Sequence, residues 1–328
     1  VSSAAPIVLV TGATGCIGSV TVRDLLARGA ARVFAASRSG EAGTLGTWLD
    51  VTRERGLSLC RLDIEQADSI EPFIQRLRPT QIVHLAALQS PDCDADPSRG
   101  LSINVGGTLH LLRAAERVGT VERFVFASSA AVYGLRDRYR GPEVAESDEL
   151  APPNLYGVWK LAGEQLARQF HERSGIPTVS LRLNTTYGPG RDRGRTAAPT
   201  RAIEAVAHAM RDGTAARFAM PYGGRENYHF VEDVGASFAE AALAPFTGHD
   251  AFNLLGQTVP VAEFLALIRR VAGELGSSAP HDLSIAADAT PNPFVCDLAD
   301  QKIADRFPTL RRTALEEGIR RTLRFYSV

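Results

Sequence analysis

A chain of 328 residues, 45% hydrophobic and 22% charged, with a formal net charge of −1, has the length for one large core or two modest ones and the composition of an ordinary globular protein. The near-zero charge gives no general pull toward nucleic acid or an anionic membrane, and no apolar run reaches the length of a membrane span. Cys16, Cys60, Cys93 and Cys296 form no CxxC pair and no zinc-like spacing, so no metal is expected and the predicted setting is the reducing cytoplasm.

Residues 1–6 carry no basic segment and pass straight into Ile7-Val8-Leu9-Val10, which reads as a first strand rather than a leader. Further strands are predicted over 32–36, 57–62, 81–85, 123–127 and 179–183. Helices are predicted between them over 17–28, 69–77, 101–118 and 156–173. The strands are short, apolar and largely non-alternating, the pattern of a parallel sheet covered on both faces. Strand–helix alternation of this kind predicts an α/β fold, a doubly wound parallel sheet of the Rossmann type. The expected dinucleotide-binding domain spans 1–189. Beyond it, helices are predicted over 200–211, 234–244, 261–273 and 313–325, with short apolar runs at 216–219, 229–231 and 251–254. Residues 190–328 are therefore expected to form a smaller C-terminal α/β substrate-binding region, with the chain returning to the sheet around 228–256. The polar stretch 134–153 falls between the fifth strand and a long helix, at the mouth of a site.

The first strand runs into Thr11-Gly12-Ala13-Thr14-Gly15-Cys16-Ile17-Gly18. A glycine loop after a strand and before a helix is a dinucleotide signature. Gly12 permits the turn, Gly15 admits the pyrophosphate, Gly18 lets helix and strand close up, and the helix N-terminus faces the phosphates. With two lysines in the chain there is no Gly-Lys-Ser/Thr phosphate loop. The second strand ends Ala36-Ser37-Arg38-Ser39, with a guanidinium where an NAD-binding chain carries an acid. NADP is the preferred cofactor on this ground, with NAD the other choice; the plainer reading of Arg38 is a solvated arginine. Asp63 and Ile64, after the third strand, are placed to meet the adenine, or Asp63 to cap a helix. Leu85, Ala86 and Ala87 let a flat ligand lie against the backbone. His84 reads as a packed histidine.

Tyr156 and Lys160 share a helical face at a spacing of four. Lys160 is one of only two lysines among 36 Lys+Arg residues, which points to a need for a compact ammonium. Beside it, Tyr156 suits a general acid/base and Lys160 a bond to the nicotinamide ribose. Ser128 and Ser129 end the fifth strand, and Ser129 is placed to hold the reacting oxygen. No Gly-x-Ser-x-Gly elbow supports an acyl-transfer role.

Taken together, Thr11–Gly18, Asp63-Ile64, His84–Ala87, Asn104 in Ile103-Asn104-Val105-Gly106-Gly107-Thr108, Ser128–Gly134, Tyr156–Lys160 and Leu315-Glu316-Glu317-Gly318-Ile319 resemble the extended short-chain dehydrogenase/reductase superfamily, its NAD-dependent epimerase/dehydratase group. The resemblance implies that Ser129, Tyr156 and Lys160 are catalytic and that Gly12, Gly15, Ile17, Arg38, Asp63, Ile64, Ala86 and Lys160 contact the cofactor. It implies that Asn104 supports the site. It also implies a homodimer, paired through helices 101–118 and 156–173. Three departures stand out. Ala130-Ala131 replace the Asp-Glu pair of the dehydratases. Where nucleotide-sugar members have an asparagine, the chain has Thr185, with Asn184 one place early. Where they have a diphosphate-binding arginine, the chain has Glu226, with Arg225 one place off.

The expected activity is NAD(P)-dependent interconversion of a secondary alcohol and a ketone on a sugar, sugar acid or related polyhydroxy substrate. An epimerase using the same trio is the alternative, and a non-catalytic cofactor-binding sensor the third reading. Gln89, Ser90, Ser129, Thr185, Arg191 and Arg225 are the expected substrate contacts. Arg193, Arg195 and Arg201 cluster nearby, as anion binders or as a solvated loop.

Overall fold

Val8, Leu9 and Val10 have no exposed surface at all, which is why a run without alternation forms a strand: both of its faces are covered. The computed structural model describes residues 5–328; residues 1–4, where the absence of a leader was expected, lie outside the described residues. Seven strands make the main sheet: β1 (Ile7–Thr11), β2 (Arg32–Ser37), β3 (Leu57–Arg61), β4 (Gln81–His84), β5 (Arg123–Ser129), β6 (Thr178–Leu183) and β10 (His249–Asn253). Their order is β10-β6-β5-β4-β1-β2-β3, all parallel. The order reverses between β1 and β4, and the carboxyl ends of strands at such a reversal form a crevice for ligands.

Helix α1 (Cys16–Ala27) and helix α6 (Val231–Leu243) cover one face. The other face is covered by α2 (Ala67–Leu77), α3 (Thr108–Val118) and α4 (Leu155–Ser174). The expected helix over 101–118 is broken into parts: Pro97–Leu101 is α-helical, Ser102–Gly107 is a π-helical turn, and α3 follows. A second lobe packs α5 (Ala198–Arg211), α7 (Val261–Glu274) and α8 (Leu315–Tyr326) around a separate core. Its strands are β7 (Thr185–Tyr187), β8 (Arg217–Met220), β9 (Arg225–Phe230), β11 (Gln257–Pro260) and β12 (Asp282–Ile285). They form two small sheets, β11-β9-β7 and β12-β8. Between the lobes the chain passes from β9 into α6 and on to β10, which pairs with β6.

Candidate active site

The glycine turn is a cradle that side chains would fill. Gly12 has φ +68°, and a Cβ there would lie 2.8 Å from the Ala86 nitrogen. A Cβ on Gly18 would lie 2.2 Å from the Gly12 carbonyl oxygen. No side chain caps the N-terminus of α1, so its first N–H groups remain for an anion. A dinucleotide fits these residues. Thr14 joins the turn through its carbonyl, which accepts from the Thr44 amide at 3.0 Å. The Cys16 thiol points away from the cradle toward the Pro189 carbonyl at 3.9 Å.

Next to the cradle stand the three expected catalytic side chains. Helix α4 begins at Asn154, whose side chain accepts from the Gly157 amide at 2.9 Å. A Cβ on Gly157 would lie 2.2 Å from the Ala131 carbonyl oxygen, so the helix start lies flush on the turn that follows β5. This contact brings Tyr156 close to Ser129, near enough for the hydroxyl to pull its phenol down. Ser129 Oγ also accepts from the Ala131 amide at 3.1 Å. Lys160 Nζ lies 5.6 Å from the Tyr156 ring centroid and donates to the Ala127 carbonyl at 2.7 Å. Burial pushes the Tyr156 phenol up to about 12, against the pull of Ser129 and the Arg191 charge. Burial likewise pulls Lys160 down to about 8. Burial thus favours the neutral form of both groups.

The flanking residues divide into contacts and supports. His84 is neutral: burial pulls it down to about 3, and it bridges the Thr11 hydroxyl at 2.7 Å and the Thr108 hydroxyl at 3.0 Å. Asn104, expected among the cofactor-binding residues, spends its amide elsewhere. Its Oδ1 accepts from the Leu88 amide at 2.7 Å and its Nδ2 donates to the Leu88 carbonyl at 2.8 Å. It pins the loop after β4, and the π turn is what aims it there. Asp63 caps no helix; its carboxylate accepts from the Glu65 amide at 3.1 Å in a tight turn. Ile64 is buried in the core against Gly107 rather than open to a ligand. Ser37 accepts from the Gly40 amide at 3.0 Å, and Arg38 is exposed.

Of the expected substrate contacts, the structure turns in only some. Ser90 is exposed and donates to Asp94 at 3.3 Å, and Gln89 is exposed beside Gly194. Arg225 lies on the opposite face of β9 from Glu226, exposed, with the Thr258 carbonyl at 3.5 Å; it is not in the site. Arg193 and Arg201 point to Asp192 at the surface. Arg191 is half-buried; one guanidinium nitrogen donates to the Thr196 hydroxyl at 2.6 Å and its Nε is unpartnered. Thr185 is buried, near enough to Glu226 to pull its carboxyl down.

Two features escaped the sequence reading. Glu164 and Arg182, each 3% exposed, form a bidentate pair at 2.9 and 2.8 Å beneath Lys160. Ser128 donates to Glu164, and Arg182 donates to the Tyr133 hydroxyl at 2.7 Å. Two signals were available: Glu164 lies one turn beyond Lys160, and Arg182 interrupts an apolar strand. The second feature is the burial of Glu226, which no spacing in the chain announces.

Among the described residues, no helix is long and apolar enough to cross a membrane. The model of the NAD dependent epimerase/dehydratase family matches residues 8–254. The chain is 29% identical over 276 residues to a D-erythronate dehydrogenase of Cupriavidus necator, covering 81% of this chain and 82% of that enzyme. It is 35% identical over 187 residues to UDP-glucose 4-epimerase 4 of Oryza sativa subsp. japonica, a match that spans 55% of this chain and about half, 49%, of that enzyme. A solved structure of the Thermus thermophilus UDP-glucose 4-epimerase in complex with NAD superposes with a TM-score of 0.76 at 27% identity, over 97% of this chain and 98% of that one. With a glycine cradle, a Ser-Tyr-Lys cluster and a family match over most of its length, the chain belongs to the NAD dependent epimerase/dehydratase family and is a nicotinamide-dinucleotide-dependent enzyme of the extended short-chain dehydrogenase/reductase type.

Proposed function

We propose that the enzyme is a dehydrogenase that interconverts a secondary alcohol and a ketone on a small sugar acid, with NADP preferred. The observation that carries this reading is the convergence of Ser129, Tyr156 and Lys160 at the carboxyl ends of the strands, with Lys160 Nζ 5.6 Å from the Tyr156 ring centroid and Ser129 near enough to pull the Tyr156 phenol down. In oxidation, Tyr156 takes the hydroxyl proton, Ser129 donates to the oxygen as it becomes a carbonyl, and Lys160 favours the phenolate. The dinucleotide, when bound, accepts the hydride. Arg191 is positioned to receive the carboxylate next to the reacting carbon. Support for an acid substrate comes from the D-erythronate dehydrogenase, matched along four-fifths of both chains. Support against a nucleotide sugar comes from Glu226: a carboxyl replaces the expected diphosphate-binding arginine.

A panel of sugar acids with NAD and NADP, followed by reduced-nicotinamide absorbance, tests the reading. Net cofactor reduction supports a dehydrogenase. Conversion of a sugar without net reduction points to the epimerase alternative. Cofactor binding with no turnover of any panel member points to a sensor.

The NADP preference rests on Arg38, which is exposed and makes no hydrogen bond or ion pair among the described residues. A second guanidinium, Arg61, stands opposite Ser37 on β3. Arg38→Ala is expected to raise KM for NADP by about tenfold or more, a loss of roughly 1.4 kcal/mol of charge-assisted binding. KM for NAD should change less than about twofold on the same scale. Equal changes for both cofactors would remove Arg38 from phosphate recognition. A homodimer through α3 and α4 is supported by Leu101 and Val158, 46% and 37% exposed on the segments concerned. The four unpaired cysteines agree with a cytoplasmic setting.

A further inference from the structure

Beyond Arg191 the wall of the second lobe holds a cluster of buried polar groups that the chemistry above does not use. Glu226 on β9 is 3% exposed. Its Oε1 accepts from the Asn227 amide at 3.0 Å and its Oε2 from Asn292 Nδ2 at 3.1 Å. Tyr222 and Tyr228 are 3% and 1% exposed, and neither hydroxyl has a hydrogen-bond partner. Glu226 and Tyr228 alternate onto the same face of β9, and the Glu226 charge opposes ionisation of both tyrosines. The Arg195 guanidinium sits over the Tyr222 ring at 5.5 Å.

Two unpartnered buried hydroxyls beside a buried carboxyl form a costly arrangement. Each unsatisfied group forfeits roughly 1–3 kcal/mol. Such groups are completed by ordered water or by a ligand. The missing partner has a definite chemistry. Phenol hydroxyls both donate and accept, and a carboxyl accepts strongly, so together they match alcohol groups. They do not match a diphosphate, which a buried carboxyl repels.

We propose that Tyr222, Tyr228 and Glu226 form a hydroxyl-reading subsite that holds the end of the substrate remote from its carboxylate. This rests on the sugar-acid reading above and goes further by assigning the far end of the substrate. Ser129 Oγ lies 3.5 Å from the Leu183 carbonyl, and two residues further on Thr185 pairs with Tyr228 across β7 and β9. The cluster thus adjoins the strand end that carries Ser129, so a short open-chain acid held at Ser129 and Tyr156 would extend its terminal hydroxyl toward Glu226. Burial pushes the Glu226 carboxyl up to about 7, opposed by Asn227, Thr185 and Asn292. It can thus meet a hydroxyl as acceptor or as donor near neutral pH.

The test uses the cofactor-loaded enzyme and two four-carbon acids: D-erythronate, and the same acid lacking its terminal hydroxyl. Glu226→Gln and Tyr222→Phe both keep the side-chain shape. Either is expected to raise KM for D-erythronate by about tenfold or more, as expected for one lost buried hydrogen bond to a charged or polar group. KM for the deoxy acid should stay within about twofold on the same scale. Isothermal titration of the loaded enzyme with each acid should show the same contrast. If wild type turns over D-erythronate and both variants handle the two acids in the wild-type ratio, the subsite is overturned and the sugar-acid reading stands. If wild type neither binds nor oxidises any sugar acid, the sugar-acid reading falls and the subsite with it.

Discussion

Tyr156→Phe is expected to lower kcat for alcohol oxidation by about 10²–10⁴-fold, the range for losing a positioned acid/base, with the cofactor still bound. The energetics set the size. With Tyr156 at about 12, forming its phenolate at pH 7 costs about 7 kcal/mol. That value already includes the pull of Ser129; two things offset the remainder, the nearby ammonium of Lys160 and the positive charge of an oxidised nicotinamide when bound. The direction of the pH dependence follows. Oxidation needs the phenolate, so its rate should rise with pH toward the phenol's own value, and ketone reduction, which needs the phenol, should fall. Phe at 156 should flatten both profiles. Initial rates across the pH range, with a cofactor titration by fluorescence quenching, check this. A wild-type slope in Tyr156→Phe, or a rate within a few-fold of wild type, would take the proton transfer away from Tyr156.

Lys160 affects stability with the opposite sign to a normal ion pair. Its value is depressed from 10.5 to about 8, so the unfolded chain holds the proton more tightly. Folding therefore bears a cost below about pH 8 that is relieved as pH rises toward 10.5. A group that destabilises the resting fold at neutral pH fits a functional demand better than a structural one.

The Rossmann half of the fold was legible because each signal there is local. Apolar runs flanked by a glycine turn, helices with a clear period and the Tyr-x-x-x-Lys spacing need no knowledge of what packs against what. Legibility fails where partners come from far along the chain. β12 is half-exposed and only four residues long; its pairing with β8 supplies what its own sequence does not. The arginine cluster reads as one feature in the sequence, yet only Arg191 is even half-buried while Arg193, Arg195 and Arg201 stay exposed, because the loop's path decides each direction. Glu226 looks like a surface acid until Asn292, from far along the chain, closes over it. Asn104 carries no helix-breaking signal, and the π turn that aims it at Leu88 appears only with the loop it supports.

The second large effect concerns the pair beneath the site. Arg182→Leu should cost about 3–5 kcal/mol, because it leaves the Glu164 carboxylate buried without its cation. In a chain of this size that corresponds to a fall in Tm of roughly 5–10 °C. The double variant Glu164→Met with Arg182→Leu should recover at least half of that loss, since removing both charges ends the desolvation penalty. Activity separates two roles for the pair. Glu164 holds Ser128 on β5 and lies one helical turn beyond Lys160 on α4, so the pair ties together the two elements that carry Ser129, Tyr156 and Lys160. If it sets their spacing, the double variant will melt near wild type yet stay about tenfold or more slower, a misplacement cost of about 1.4 kcal/mol in the transition state. If kcat returns together with Tm, the pair stabilises the fold and the catalytic spacing is set elsewhere, with the flush contact of Gly157 on Ala131 as the element that remains.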